Sequence, residues 1–115
     1  MAEPSSEQGQ DQVMLVYMTA GSQEEAMHIA QALIAERLAA CVNILAPMTA
    51  VFHWDGGVQT GAEVPFLAKT TAAGVAALTD RVVALHSYDC PCIVAWPLEQ
   101  GHSAFLSWVG AETRS

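Results

Sequence analysis

Seven consecutive residues, His86-Ser87-Tyr88-Asp89-Cys90-Pro91-Cys92, set an imidazole, a phenol, a carboxylate and two thiols side by side. These are the groups that bind soft and borderline metal ions, and a Cys beside a His can also form an activated nucleophile. The stretch falls where a helical spacing (Val75, Leu78, Val82, Leu85) gives way to a strand-like run (Ile93, Val94, Ala95, Trp96), a junction at which polar side chains can converge on a ligand. A plainer account is also open. His86 can favour the negative end of a helix dipole, and Cys90 and Cys92 can be small packing residues.

The elements that must position this stretch follow from the hydrophobic pattern. Residues 13–19 form a short run of strand formers stopped by Gly21, and Ser22-Gln23-Glu24-Glu25 is a capping box in which Glu25 reaches back to the helix start. The helix that follows carries Ala26, Ile29, Ala30, Leu33, Ile34 and Leu38 on one side, with Glu24 and Glu25 near its start and Arg37 near its end. Residues 41–54 read as a long strand interrupted at Pro47, and residues 58–70 as its partner across Asp55-Gly56-Gly57. Pro47 and Pro65 supply no ladder N–H and predict bulges or edge positions. Thr71 is placed to cap a second helix ending near Leu85, residues 93–98 form a further strand, and residues 103–113 form a short last helix showing Phe105, Trp108 and Val109.

The order predicts an α+β chain, a ferredoxin-like split βαβ sandwich with an extended hairpin and a short C-terminal helix. Its domain spans residues 12–115, preceded by a polar, turn-rich tail over residues 1–11 that reads as disordered. Strands of about 13 residues reach roughly 43 Å while helices of about 16 residues cover roughly 24 Å, so the hairpin must overhang its own domain. An overhanging arm bearing Val51, Phe52 and Trp54 exposes apolar surface and free strand edges, which a closed homo-oligomer would cover.

Composition narrows the function classes. The chain has 115 residues, is 52% hydrophobic and carries a formal net charge of −8, which suits one domain with a real core. Arg37, Lys69, Arg81 and Arg114 are its only permanent cations, too few to form a footprint for nucleic acid or an anionic membrane. Three cysteines, Cys41, Cys90 and Cys92, without a signal-like leader argue against a disulfide scaffold and for a reducing cytoplasm.

Several motifs occur in one order: Glu36-Arg-Leu-Ala-Ala-Cys-Val-Asn43, Trp54-Asp-Gly-Gly57, Lys69-Thr70, His86-Ser-Tyr88, Pro97-Leu-Glu-Gln-Gly101 and Trp108. In these the chain resembles the divalent-cation-tolerance (CutA) family from about Val13 to Trp108. The resemblance implies a homotrimer with strands paired across subunits, a likeness to the PII signalling proteins, and a non-enzymatic role in the response to metal, copper especially. It also implies a copper site built from a Cys on the first strand, a His closing the second helix and a Glu opening the last main strand. The matching positions here are Met18, His86 and Cys92, and Ser87 stands where the family has proline. Thioether, imidazole and thiolate form a softer set that shifts the expected preference towards Cu(I), with zinc a competitor and no metal required for folding.

Lys69, Tyr88, Trp54, Glu99 and Trp108 are the candidate lining of a ligand pocket between subunits, in which Lys69 is the first contact for an acid group. The alternative function is therefore a PII-like trimer that binds a small anionic effector between subunits. Basic residues are too scarce to cradle a nucleotide's phosphates. A third class, a cysteine hydrolase using Cys90 or Cys92 with His86, lacks an evident oxyanion hole. Cys41 reads as an inert core thiol, and His28, His53 and His102 are isolated.

Overall fold

The computed structural model describes residues 9–113. The expected disordered tail falls mostly on residues outside that range; residues 9–11 are helical. The elements run β1 (Val13–Ala20), α1 (Gln23–Ala35), β2 (Cys41–Ile44), β3 (Met48–Trp54), β4 (Gly57–Thr71), α2 (Val75–Leu85), β5 (Ile93–Pro97) and α3 (Ser103–Glu112), with a 3-10 turn at Ala72–Gly74. Strands lie in the order β2-β4-β1-β5, all these pairings antiparallel, with β3 paired to the first half of β4. This is the ferredoxin-like arrangement, with the second strand of the plan divided into β2 and β3.

Strand alternation sorts the sheet into two faces. The cross-strand pairs Val16↔Ala68 and Met18↔Phe66 are fully buried and pack with Ile29 and Leu33 of α1 and Leu78 and Val82 of α2. The intervening pairs Leu15↔Lys69 and Tyr17↔Leu67 point to the other side. There α3 covers only one end, with its Phe105 ring beneath the Lys69 ammonium.

Both prolines act at one joint. The Leu45 N–H donates to the Pro65 carbonyl at 3.0 Å, and the return bond, which would need a Pro65 N–H, is absent. β2 ends at Ile44 and β3 begins at Met48, directly after Pro47. Pro65 thus marks a lapse in the partner strand, and β4 itself runs on without the break that its sequence leads one to expect. Beyond the joint β3 and β4 form an arm closed by a two-residue turn, with Asp55 at φ 53° and Gly56 at φ 77° between the paired Trp54 and Gly57. Two left-handed central residues give the turn whose twist matches a right-handed hairpin. The arm stretches the molecule to 55 × 27 × 25 Å, as the length mismatch between strands and helices requires.

Ser22 caps α1 as expected: its Oγ accepts the Glu25 N–H at 3.1 Å. Thr71 behaves differently, preceding the 3-10 turn with no side-chain cap bond. A Cβ at Gly74 would stand 2.9 Å from the buried Thr70 Oγ1, so this close turn takes glycine and the α-helix starts only at Val75.

Candidate functional site

The polar groups of the molecule gather at the corner where β1 ends, α1 starts and α2 ends. Glu25, in the first turn of α1, turns its carboxylate towards the segment after α2: Oε2 accepts the Ser87 N–H at 2.8 Å and Oε1 accepts the Gly21 N–H at 3.2 Å. Burial alone would raise the Glu25 pKa, but these hydrogen bonds outweigh it and hold the carboxyl below its ordinary value.

The fully buried His86 side chain is used at both nitrogens. Nδ1 accepts the Tyr88 N–H at 3.1 Å, which leaves the proton on Nε2, and Nε2 donates to the Thr19 carbonyl at 2.7 Å. The Tyr88 ring packs against the imidazole with centroids 4.6 Å apart, and its hydroxyl meets Glu63. Glu63 also accepts from Thr19 Oγ1 at 3.4 Å. Burial first, and then the Glu63 carboxylate, raise both the Tyr88 phenol and the Cys92 thiol above their ordinary pKa values.

The structure brings His86 and Cys92 to one corner and parts them from Met18. Met18 is completely buried, opposite Phe66 and Ile93 in the core beneath the helices. Cys92 lies just before β5 and is exposed. As they stand the three do not fit a shared copper ion: the thioether is enclosed by apolar side chains, and the imidazole has no free lone pair. Both His86 nitrogens are engaged by backbone groups rather than by the Cys92 thiol, whose raised pKa weakens it as a nucleophile. No group of three or more His, Cys, Asp or Glu side chains is arranged to hold a metal ion among the described residues.

The five pocket candidates are dispersed within one chain. Trp54 sits at the arm's tip, Tyr88 at the Glu63 corner and Glu99 in the exposed stretch between β5 and α3. Only Lys69 and Trp108 share surroundings, through Phe105, which lies 6.0 Å from the ammonium and 5.5 Å from the indole. Lys69 donates to the Asn43 Oδ1. Among the described residues Arg37 pairs with Glu112 and Arg81 with Glu36, whereas Lys69 meets no carboxylate. Cys41, expected in the core, is half-buried opposite Lys69.

Glu63, Thr19 and the Glu25 carboxylate were not visible as parts of one site. Thr19 and Glu63 are 44 positions apart, and the only local signal was an acid within an otherwise strand-like run.

The whole of this framework matches known proteins. Residues 14–112 match the CutA1 divalent ion tolerance protein family. The chain belongs to that family. The divalent-cation tolerance protein CutA of Archaeoglobus fulgidus is 44% identical over 94 residues, covering 82% of this chain and 91% of that protein. Protein CutA of Homo sapiens is 37% identical over 103 residues, 90% of this chain and 58% of its own length. The crystal structure of CutA from Xylella fastidiosa superposes with a TM-score of 0.87 at 34% identity, covering 90% of this chain and 99% of that one. The Thermus thermophilus CutA1 structure gives 0.86 at 42% identity over 89% and 99%. CutA1 membership carries the tolerance class with it, while the corner shows how this chain's own residues depart from a ready-made metal chelate. No helix among the described residues is long and apolar enough to cross a membrane.

Proposed function

We propose that the chain is a non-enzymatic, homotrimeric divalent-cation-tolerance protein of a reducing cytoplasm that binds copper and takes part in the response to metal. The observation that carries the assembly is the uncovered apolar surface: Val94 and Trp96 on the open sheet face are 52% and 43% exposed, and Val51 and Trp54 on the arm are 69% and 55% exposed. A lone subunit with that much apolar surface and a free arm edge would be prone to association, and three copies can cover the arms and open faces together. Metal enters this reading through the family and through the thiol and imidazole at the corner. Cys92 is the accessible donor, whereas both His86 nitrogens are engaged by Tyr88 and Thr19 and Met18 lies in the core.

A second reading rests on Lys69. An ammonium on a half-buried lysine that meets an amide oxygen and a ring but no carboxylate among the described residues suits a small carboxylate or other anionic effector, as in a PII-like trimer. Trp54, Tyr88 and Glu99 would reach such a site only from neighbouring subunits.

The test combines light scattering with metal competition on the reduced protein. A trimer that takes copper from a chelator is expected. A monomer at micromolar concentration overturns the assembly, and a trimer that competes for neither copper nor zinc overturns the metal role and leaves the Lys69 effector as the function to pursue.

A further inference from the structure

The open face of the sheet holds Lys69 in surroundings that select more than charge. In the register of the ladder Lys69 stands opposite Leu15, and Leu15 opposite Trp96, so the three form one row across adjacent strands on the side away from α1 and α2. Neighbouring strands lie about 4.8 Å apart, which sets Lys69 and Trp96 roughly 10 Å from each other along that row. At the end covered by α3, the Phe105 ring centroid is 6.0 Å from the ammonium, and the Trp108 ring lies 5.5 Å from Phe105. All three aromatic side chains, Trp96, Phe105 and Trp108, are exposed in the subunit.

The polar groups of the row form a pair of donors. The Lys69 ammonium has three hydrogens and donates to the Asn43 Oδ1. With Oδ1 occupied in this way, the Nδ2 group of the same amide is a donor, and it donates to nothing else among the described residues. A joined ammonium and amide of this kind can each give a hydrogen bond to one oxygen of a single carboxylate. Charge then sets the valence. The chain carries a formal net charge of −8, and Arg37 and Arg81 are each paired with a glutamate, so one positive charge faces the site among the described residues. A monoanion neutralises it, whereas each further negative charge would rest against an acidic protein without a cation to meet it. Closure of subunits over this face would strip water from the ammonium and make a counter-anion more favourable still.

We propose that Lys69, Asn43 and the row from Leu15 to Trp96 bind an aromatic monocarboxylate. The carboxylate bridges Lys69 Nζ and Asn43 Nδ2, and the flat apolar body lies along Leu15 towards Trp96 beside Phe105. The proposal rests on the anionic-effector reading of Lys69 and narrows it to one class of ligand. The length of the row suits a carboxyl group on a short chain attached to a one- or two-ring system.

The test is calorimetric titration of the reduced full-length protein, its mass followed by light scattering, with indole-3-propionate, the primary amide of that acid, acetate and citrate as probes. Indole-3-propionate is expected to bind once per chain. It should bind at least about tenfold more tightly than its amide, which lacks the charge, and than acetate, which lacks the apolar body. Lys69→Met removes the cation and keeps an apolar stem, and Asn43→Asp gives Lys69 a carboxylate of its own; each should weaken binding at least about tenfold. Equal binding of the acid and its amide, or binding unchanged in Lys69→Met, overturns the proposal. Citrate held through Lys69 while indole-3-propionate is not bound overturns the ligand class and leaves the effector reading standing. A folded protein that binds none of the anions overturns both, and if Lys69→Met then also fails to assemble, Lys69 belongs to an ion pair between subunits.

Discussion

The two faces of one sheet are built from alternate residues of the same strands, yet they have opposite fates. Val16, Met18, Phe66 and Ala68 disappear completely beneath α1 and α2, while Leu15, Tyr17, Leu67 and Lys69 look out from a side that α3 covers only at one end. The arm continues the open surface, with Val58 65% exposed. The helix-covered face carries the stability of the subunit, and the open face and arm carry surface held for a partner. The polar corner is where the two meet, since His86 closes a helix of the first face and Glu63 with Cys92 opens towards the second.

This contrast is sharpest at Phe66. Phe66→Ala should destabilise the subunit by about 3–5 kcal/mol, read by urea denaturation, because it leaves a cavity between sheet and helices. A loss below about 1 kcal/mol would mean that the covered face is not the stabilising one. At the corner, Glu25→Ala should cost about 1–2 kcal/mol, solvent replacing part of what the Ser87 and Gly21 N–H groups lose. Its pH signature is specific. The folded Glu25 pKa lies below the ordinary 4.5, so its contribution is present above that value and is lost as pH falls through the folded pKa. Denaturation curves of wild type should therefore fall faster than those of Glu25→Ala as pH drops below 4.5.

Smaller effects belong to the arm. Gly56→Ala forces a side chain into φ 77° and should cost about 1 kcal/mol, seen as roughly fivefold faster amide exchange in β3 and the first half of β4 with the core unchanged. Trp54→Ala should alter the unfolding of the isolated subunit by less than about 0.5 kcal/mol. In light scattering it should nonetheless shift a trimer towards monomer. An unchanged trimer would remove Trp54 from assembly and break the contrast between a stabilising face and an associating one.

Much of the architecture was legible because it depends on near neighbours. The Ser22–Glu25 cap, the helix faces at Ile29 and Leu33 and the Asp55-Gly56 turn are set within a few residues. The Thr71 cap was misread because the steric approach of Gly74 to Thr70 exists only in the folded turn, and of the two readings of Pro65 the edge position rather than the bulge holds, which depends on the distant end of β2 opposite it. The candidate site was legible only as an inventory. His86, Cys92 and Met18 could be named from the chain, but whether a side chain is available depends on what surrounds it.

The sequence by itself determined the kinds of element, their order, the excess of negative charge and the dithiol spacing of Cys90 and Cys92, since these follow from composition and short-range periodicity. Tertiary structure alone decided that Met18 lies in the core and Cys92 outside it, that both nitrogens of His86 are occupied, and that Glu63 meets Thr19 and Tyr88. The physical reason is that burial and hydrogen-bond saturation depend on strand register, and register here joins residues more than forty positions apart.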